Sequence, residues 1–111
     1  RSIFFEYDRF DIAKEFIPIV EAHANHLIRN PEMDIIINGH CDTRGSREYN
    51  LALGQRRANS VKRAMLLLGV NDDQVRTVSF GAEKPVANGQ DEESHARNRR
   101  SDIIYESTML P

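Results

Sequence analysis

The segment Gly39-His40-Cys41-Asp42-Thr43-Arg44-Gly45-Ser46 gathers an imidazole, a thiol, a carboxylate and a guanidinium between two glycines. Glycine permits tight or left-handed backbone, so such a stretch can bend polar groups around a small ligand. Asp42 can accept hydrogen bonds from an ammonium, and the unpaired N–H groups of a helix beginning after Ser46 favour an anionic group. A plainer reading is also open: Asp42 and Ser46 merely cap the turn and the helix, as these residue types commonly do.

Arg57 adds a second charge. At about 100° per residue, Leu53, Val61, Ala64 and Leu68 all fall within about 40° of it on the helical wheel, while Arg56 and Arg63 lie about 100° or more away. The guanidinium therefore sits in the middle of an apolar stripe. It must snorkel outward, pair with a buried carboxylate, or line a cleft for an outside anion, because an unpaired charge in the core is prohibitive. With Asp42 at the same mouth, the two would suit a zwitterion such as the free end of an amino acid: the guanidinium fork matches a carboxylate and the aspartate accepts from the ammonium. An Asp42–Arg57 ion pair with no ligand is the alternative.

Other chemistries fit less well. His40, Cys41 and Asp42 are ligand types, but three consecutive side chains rarely converge on one metal, and His23 and His26 lack the i, i+4 spacing that suits a helical metal site. No metal and no cofactor is expected. Cys41, the single cysteine, reads as a small buried filler rather than a nucleophile, and it excludes an intrachain disulfide and a multi-cysteine zinc site. A hydrolase using His40 and Asp42 for acid and base work remains an alternative. Fifteen basic against 17 acidic side chains give a net charge of −2, which argues against nucleic acid as a partner. Even so, Arg44, Arg47, Arg56, Arg57, Lys62 and Arg63 crowd one stretch, which leaves a local anion site open.

The elements that must hold these groups follow from periodicity. With 111 residues, 40% hydrophobic and 29% charged, residues 1–111 fit one compact domain. Ile3, Phe4, Phe5 and Tyr7 predict a first strand. Phe16, Val20, Ala24 and Leu27, with Ile17 and Ile28, predict a helix from about Lys14 to Asn30, with Pro18 near its first turn. Ile35, Ile36 and Ile37 predict a central strand covered on both faces and ending at Asn38 and Gly39. Ser46 to Leu68 is the longest predicted helix, capped by Ser46 and closed by Gly69. Val75 to Phe80 predicts a strand, Asp91 to Asn98 a short helix, and Ser101 to Glu106 a last strand that Asn98, Arg99 and Arg100 lead into. The result is an α/β (α+β) two-layer sandwich of βαβαβ type, two main helices on a mixed sheet, with binding groups beyond the carboxyl end of a central strand. No apolar run reaches the ~18 residues of a membrane-spanning helix. Because the sequence opens directly in a strand, any address signal is expected upstream.

The strings Ile37-Asn38-Gly39-His40-Cys41-Asp42-Thr43-Arg44-Gly45, Glu48-Tyr49-Asn50 and Leu53-Gly54-Gln55-Arg56-Arg57-Ala58 resemble the OmpA-like peptidoglycan-binding family. Tyr7 to Ile12, Val78 to Gly81, Glu83-Lys84-Pro85 and Asn98-Arg99-Arg100 extend the likeness along nearly the whole chain, most of all toward its lipoprotein branch. The resemblance implies a non-enzymatic domain on the periplasmic face of the outer membrane. Such a domain binds the meso-diaminopimelate of peptidoglycan stem peptides, carries an N-terminal lipid anchor absent from this sequence, and contacts TolB in the Tol-Pal system. It also implies that Asp42 meets the diaminopimelate ammonium and Arg57 its carboxylate, with Asp8, Ser46 and Leu53 shaping the pocket. An OmpA C-terminal or flagellar-motor type of wall anchor, or a protein-interaction module, is the alternative. Cys41 departs from the small residue expected there, and Ser107 to Pro111 run past the likeness.

Overall fold

The computed structural model describes residues 1–106; the tail from Ser107 lies outside the described residues. Strand β1 (Ser2–Phe4) is followed by a 3-10 turn at Lys14–Phe16 and helix α1 (Ile17–Arg29). Strand β2 (Asp34–His40), helix α2 (Arg47–Leu68) and strand β3 (Val75–Gly81) come next, then helix α3 (Glu92–Asn98) and strand β4 (Arg100–Glu106). The sheet order is β1-β4-β2-β3, with β2 and β3 parallel and β4 antiparallel to both β1 and β2. This is the expected mixed sheet. A parallel neighbour needs a crossover, and α2 supplies it.

Helix boundaries follow their local chemistry. Pro18 falls in the first turn of α1, where its missing N–H costs least. Ser46 caps α2 by accepting from Tyr49 N–H at 3.1 Å, and Gly69 ends it in the left-handed region at φ 114°. The link from α1 to β2 is pinned from across the fold: the buried Gln74 amide donates to the carbonyls of Leu27, Asn30 and Met33.

The core forms on one side of the sheet. Ile3, Ile35, Ile37, Val75 and Ile103 share that side and pack with Val20, Ala24 and Leu27 of α1 and Ala58, Val61 and Met65 of α2. Three sequence expectations are corrected here. Strand β2 is not covered on both faces, since Ile35 and Ile37 are buried while Ile36 and Asn38 are only partly so; the β-branched run reflects a strand with neighbours on both edges, not two layers of helix. Nor does it stop at Asn38 and Gly39, because ladder pairing continues to His40 opposite Arg100. The buried stripe of α2 is also shifted: Met65 takes the place expected of Leu68, which is exposed.

Gly39 of β2 and Gly54 of α2 set how closely these layers meet. A Cβ on Gly39 would stand 1.8 Å from the Gly54 carbonyl oxygen, and one on Gly54 would stand 2.4 Å from Ser79 Oγ. At Gly39 every near neighbour is backbone of Gly54, so nothing flexible can yield. Gly39→Ala is therefore expected to destabilise the fold by about 3 kcal/mol or to prevent folding, the upper end of overpacking costs. Urea unfolding of the natural chain and the variant checks this, with an exposed substitution such as Ala52→Ser as the neutral control.

Candidate functional site

Strand β2 ends beside the first turns of α2, and between them lies a cavity of about 60 Å³ lined by Asp8, Cys41, Asp42, Arg44, Leu53 and Arg57, with Tyr7 and Tyr49 at its margin. Four of the five sequence-predicted site residues thus meet at one place. Ser46 does not line the cavity. Its hydroxyl is used as the α2 cap, so it acts on the site only by fixing where the helix starts.

Arg57 is 1% exposed. Its Nε donates to Arg9 O at 2.8 Å, Nη1 to His40 O at 3.0 Å and Nη2 to Glu6 O at 3.2 Å, and its guanidinium carbon lies 5.3 Å from the centre of the Phe5 ring. Three of its five N–H groups are therefore spent on carbonyls, leaving two. No carboxylate among the described residues forms an ion pair with it. Burial pulls its pKa below the ordinary guanidinium value, while Asp42 and Asp8 oppose this only through space. The alternative of an Asp42–Arg57 ion pair does not hold.

Asp42 is buried too, and its partners are others. Arg44 Nη2 stands 2.8 Å from Oδ2, and Arg44 N and Nε stand 3.1 and 3.2 Å from Oδ1. Arg99 Nη1 reaches Oδ2 at 3.4 Å, while Arg99 Nε donates to Phe5 O and Nη2 to Glu92. Burial alone would raise the Asp42 pKa, but the hydrogen bonds from Arg44 and Arg99 outweigh it and hold the carboxyl below its ordinary range. Sequence reasoning placed Arg99 at the opening of the last strand and Arg44 within a basic run; neither was assigned to Asp42. The Asp42-Thr43-Arg44 spacing carried the signal, because a side chain two residues on can fold back over an Asx turn.

The basic run itself is no patch. Arg47 pairs with Glu83 and Lys62 with Asp72, Arg56 lies over the Phe10 ring, and Arg57 points inward. Asp8 is exposed and holds a left-handed backbone at φ 58°, with the Tyr49 hydroxyl donating to its carboxylate. Cys41 is buried with Sγ 3.1 Å from Asn50 O, and burial pushes its thiol up to about 11. It stays protonated and unreactive at neutral pH.

A larger cavity of about 400 Å³ lies across the Glu6–Arg9 turn, floored by Phe4, Phe16 and Ala96. Of the five predicted site residues it contains none. Size alone therefore does not single out the residues that the sequence predicts.

Residues 4–99 match the model of the OmpA family, most of the chain. The chain belongs to the OmpA family. Among relatives of this OmpA-family chain, the peptidoglycan-associated lipoprotein of Legionella pneumophila is 48% identical over 104 residues, 94% of this chain and 59% of that protein. That of Pseudomonas aeruginosa is 44% identical over 102 residues, 92% of this chain and 60% of that protein. The chain thus spans about three fifths of these two relatives. The crystal structure of the peptidoglycan-associated lipoprotein from Burkholderia pseudomallei superposes with a TM-score of 0.94 at 48% identity, covering 96% of this chain and 90% of that one. The C-terminal domain of Helicobacter pylori MotB shares the fold alone, with a TM-score of 0.88 at 22% identity over 98% of this chain and 86% of that one.

His40 of this OmpA-family chain sits just before the site, on the sheet face away from the helices. It is stacked on Phe80 at 5.5 Å and lies 3.6 Å from Asp102. Burial, aided by Arg100 and Lys84 and opposed by Asp102, lowers its pKa to about 4 from the ordinary 6.5. The unfolded chain therefore takes the proton more readily. The contribution of neutral His40 is whole above about pH 6.5 and is lost as pH falls toward 4, a change of roughly 3 kcal/mol. A His40→Gln variant is expected to lose less stability than the natural chain across that window, read from urea midpoints at pH 7, 5.5 and 4; parallel losses would assign the effect to another group.

Proposed function

We propose that residues 1–111 form one peptidoglycan-binding domain that grips the meso-diaminopimelate of stem peptides without cleaving it. In this reading the diaminopimelate carboxylate meets the two free N–H groups of Arg57, and its ammonium meets Asp42. Asp8 and Leu53 complete the walls. The observation that carries the reading is the buried Arg57 guanidinium, which has a cavity beside it and no counterion among the described residues. A ligand carboxylate neutralises that charge where the protein does not, and each charge-assisted hydrogen bond contributes about 1.5–3 kcal/mol. The cavity admits only the charged end of an amino acid, so the rest of a stem peptide stays outside.

The names of the relatives support the same reading: the Legionella and Pseudomonas proteins are peptidoglycan-associated lipoproteins. By extension, the full-length protein is lipid-anchored at the periplasmic face of the outer membrane. There it tethers that membrane to the cell wall and contacts TolB within the Tol-Pal system. Nothing at the site favours hydrolysis: His40 points to the opposite sheet face, toward Phe80 and Asp102, so Asp42 has no imidazole partner for acid and base work.

Co-sedimentation with purified sacculi tests the proposal. Asp42→Asn and Arg57→Lys are each expected to weaken association at least tenfold while circular dichroism stays unchanged. Lysine keeps the charge but cannot hold three carbonyls and a carboxylate together. Arg57→Ala is a poorer probe, since it also frees the Glu6, Arg9 and His40 carbonyls. Undiminished sedimentation of both variants would remove the pocket from the wall-binding account.

A further inference from the structure

Every acceptor position on Asp42 is already filled. A carboxylate offers about four lone-pair sites. Here Oδ1 receives Arg44 N and Nε, and Oδ2 receives Arg44 Nη2 and Arg99 Nη1. A ligand ammonium cannot be added to this arrangement; it has to replace a donor.

The donors differ in how firmly they are held. Arg44 N is backbone. The Arg99 side chain is 6% exposed and is fixed from two other directions, to Phe5 O at 2.9 Å and to Glu92 at 2.8 Å. The Arg44 side chain is 40% exposed, rests on the Tyr7 ring at 4.3 Å, and has a second carboxylate, Glu92 Oε1, only 3.8 Å from its Nη2. It is the donor that can leave, and Glu92 is where it can go.

We infer that Arg44 determines the selectivity of the pocket by occupying, in the free protein, the place on Asp42 that a ligand ammonium takes. The inference rests on the proposed reading of the site as one for the zwitterionic end of an amino acid. A simple amine that displaces Arg44 only exchanges one cation for another on Asp42 and gains little. A zwitterion makes the same exchange and also brings a carboxylate to Arg57, which otherwise has none. Arg44 thus rejects ligands that offer an ammonium alone, and Glu92 receives its guanidinium when the correct ligand enters.

Titration calorimetry with two probes tests this: meso-diaminopimelate, and 1,5-diaminopentane, which has the same two amines and no carboxylate. The natural chain is expected to prefer diaminopimelate at least tenfold. In Arg44→Ala that preference should shrink severalfold, because diaminopentane gains affinity, while diaminopimelate binds no more weakly than before. Glu92→Gln should weaken diaminopimelate binding more in the natural background than in the Arg44→Ala background, where only its contact with Arg99 is lost. If Arg44→Ala instead loses diaminopimelate binding, or leaves the preference unchanged, the inference is overturned and the wall-binding reading stands. If neither chain binds diaminopimelate, that reading fails and the inference falls with it.

Discussion

A positive charge enclosed by the fold, with no counterion among the described residues, is the constraint around which this protein is organised. Three backbone carbonyls, from Glu6, Arg9 and His40, converge on the Arg57 guanidinium. They come from two stretches far apart in sequence: the turn after β1 and the last residue of β2. One side chain therefore ties the entry of the chain to the sheet edge of the pocket. Carbonyl dipoles solvate the charge but do not neutralise it, so the site keeps a standing preference for an anion. The turn that carries Asp8 is part of the same assembly, and its left-handed residue is held between Arg57 bonds on either side and the Tyr49 hydroxyl above.

Asp42 is the opposite case. Buried like Arg57, it is saturated by Arg44 and Arg99, and its charge is more than balanced. The two groups that sequence reasoning joined as partners are thus electrostatically asymmetric. One lacks a counterion and the other has two. In the proposed binding mode a zwitterion resolves this asymmetry, since its carboxylate would supply what Arg57 lacks and its ammonium would substitute for a cation Asp42 already holds. In the proposed complex, rather than in the free chain, the rule that a buried charge must be paired would be met.

Much of this was legible before any coordinates. Order and type of the elements followed from periodicity and from punctuation by Pro18, Ser46 and Gly69, because those signals are local. The place of Arg57 within an apolar stripe followed from its angular position on α2, again a property of one helix, while its burial rather than snorkelling was left for the fold to decide. What the sequence could not supply was partner choice. Arg44, Arg47 and Lys62 look alike in a string, yet each is claimed by a different carboxylate, on Asp42, Glu83 and Asp72, and two of those come from distant elements. The strand covering of β2 failed for a related reason: a run of isoleucines reports that a strand is central, and the number of helix layers above and below it is decided by topology.

The position of the charge depends in turn on the closeness of α2 to β2. Gly39 lies one residue before His40, whose carbonyl receives Arg57, and Gly54 lies one helical turn before Arg57 itself. Their backbones meet directly, with a Cβ built on Gly39 standing 1.8 Å from Gly54 O. It brings the Arg57 guanidinium within reach of the β2 terminus rather than out over the surface, where a long side chain would snorkel into water. Any side chain at either glycine would push the helix away, lengthen the Arg57 to His40 contact, and let solvent reach the guanidinium. A hydrated arginine has no special need of a carboxylate. The anion preference proposed for the pocket would therefore be a consequence of two missing Cβ atoms as much as of the charges that line it.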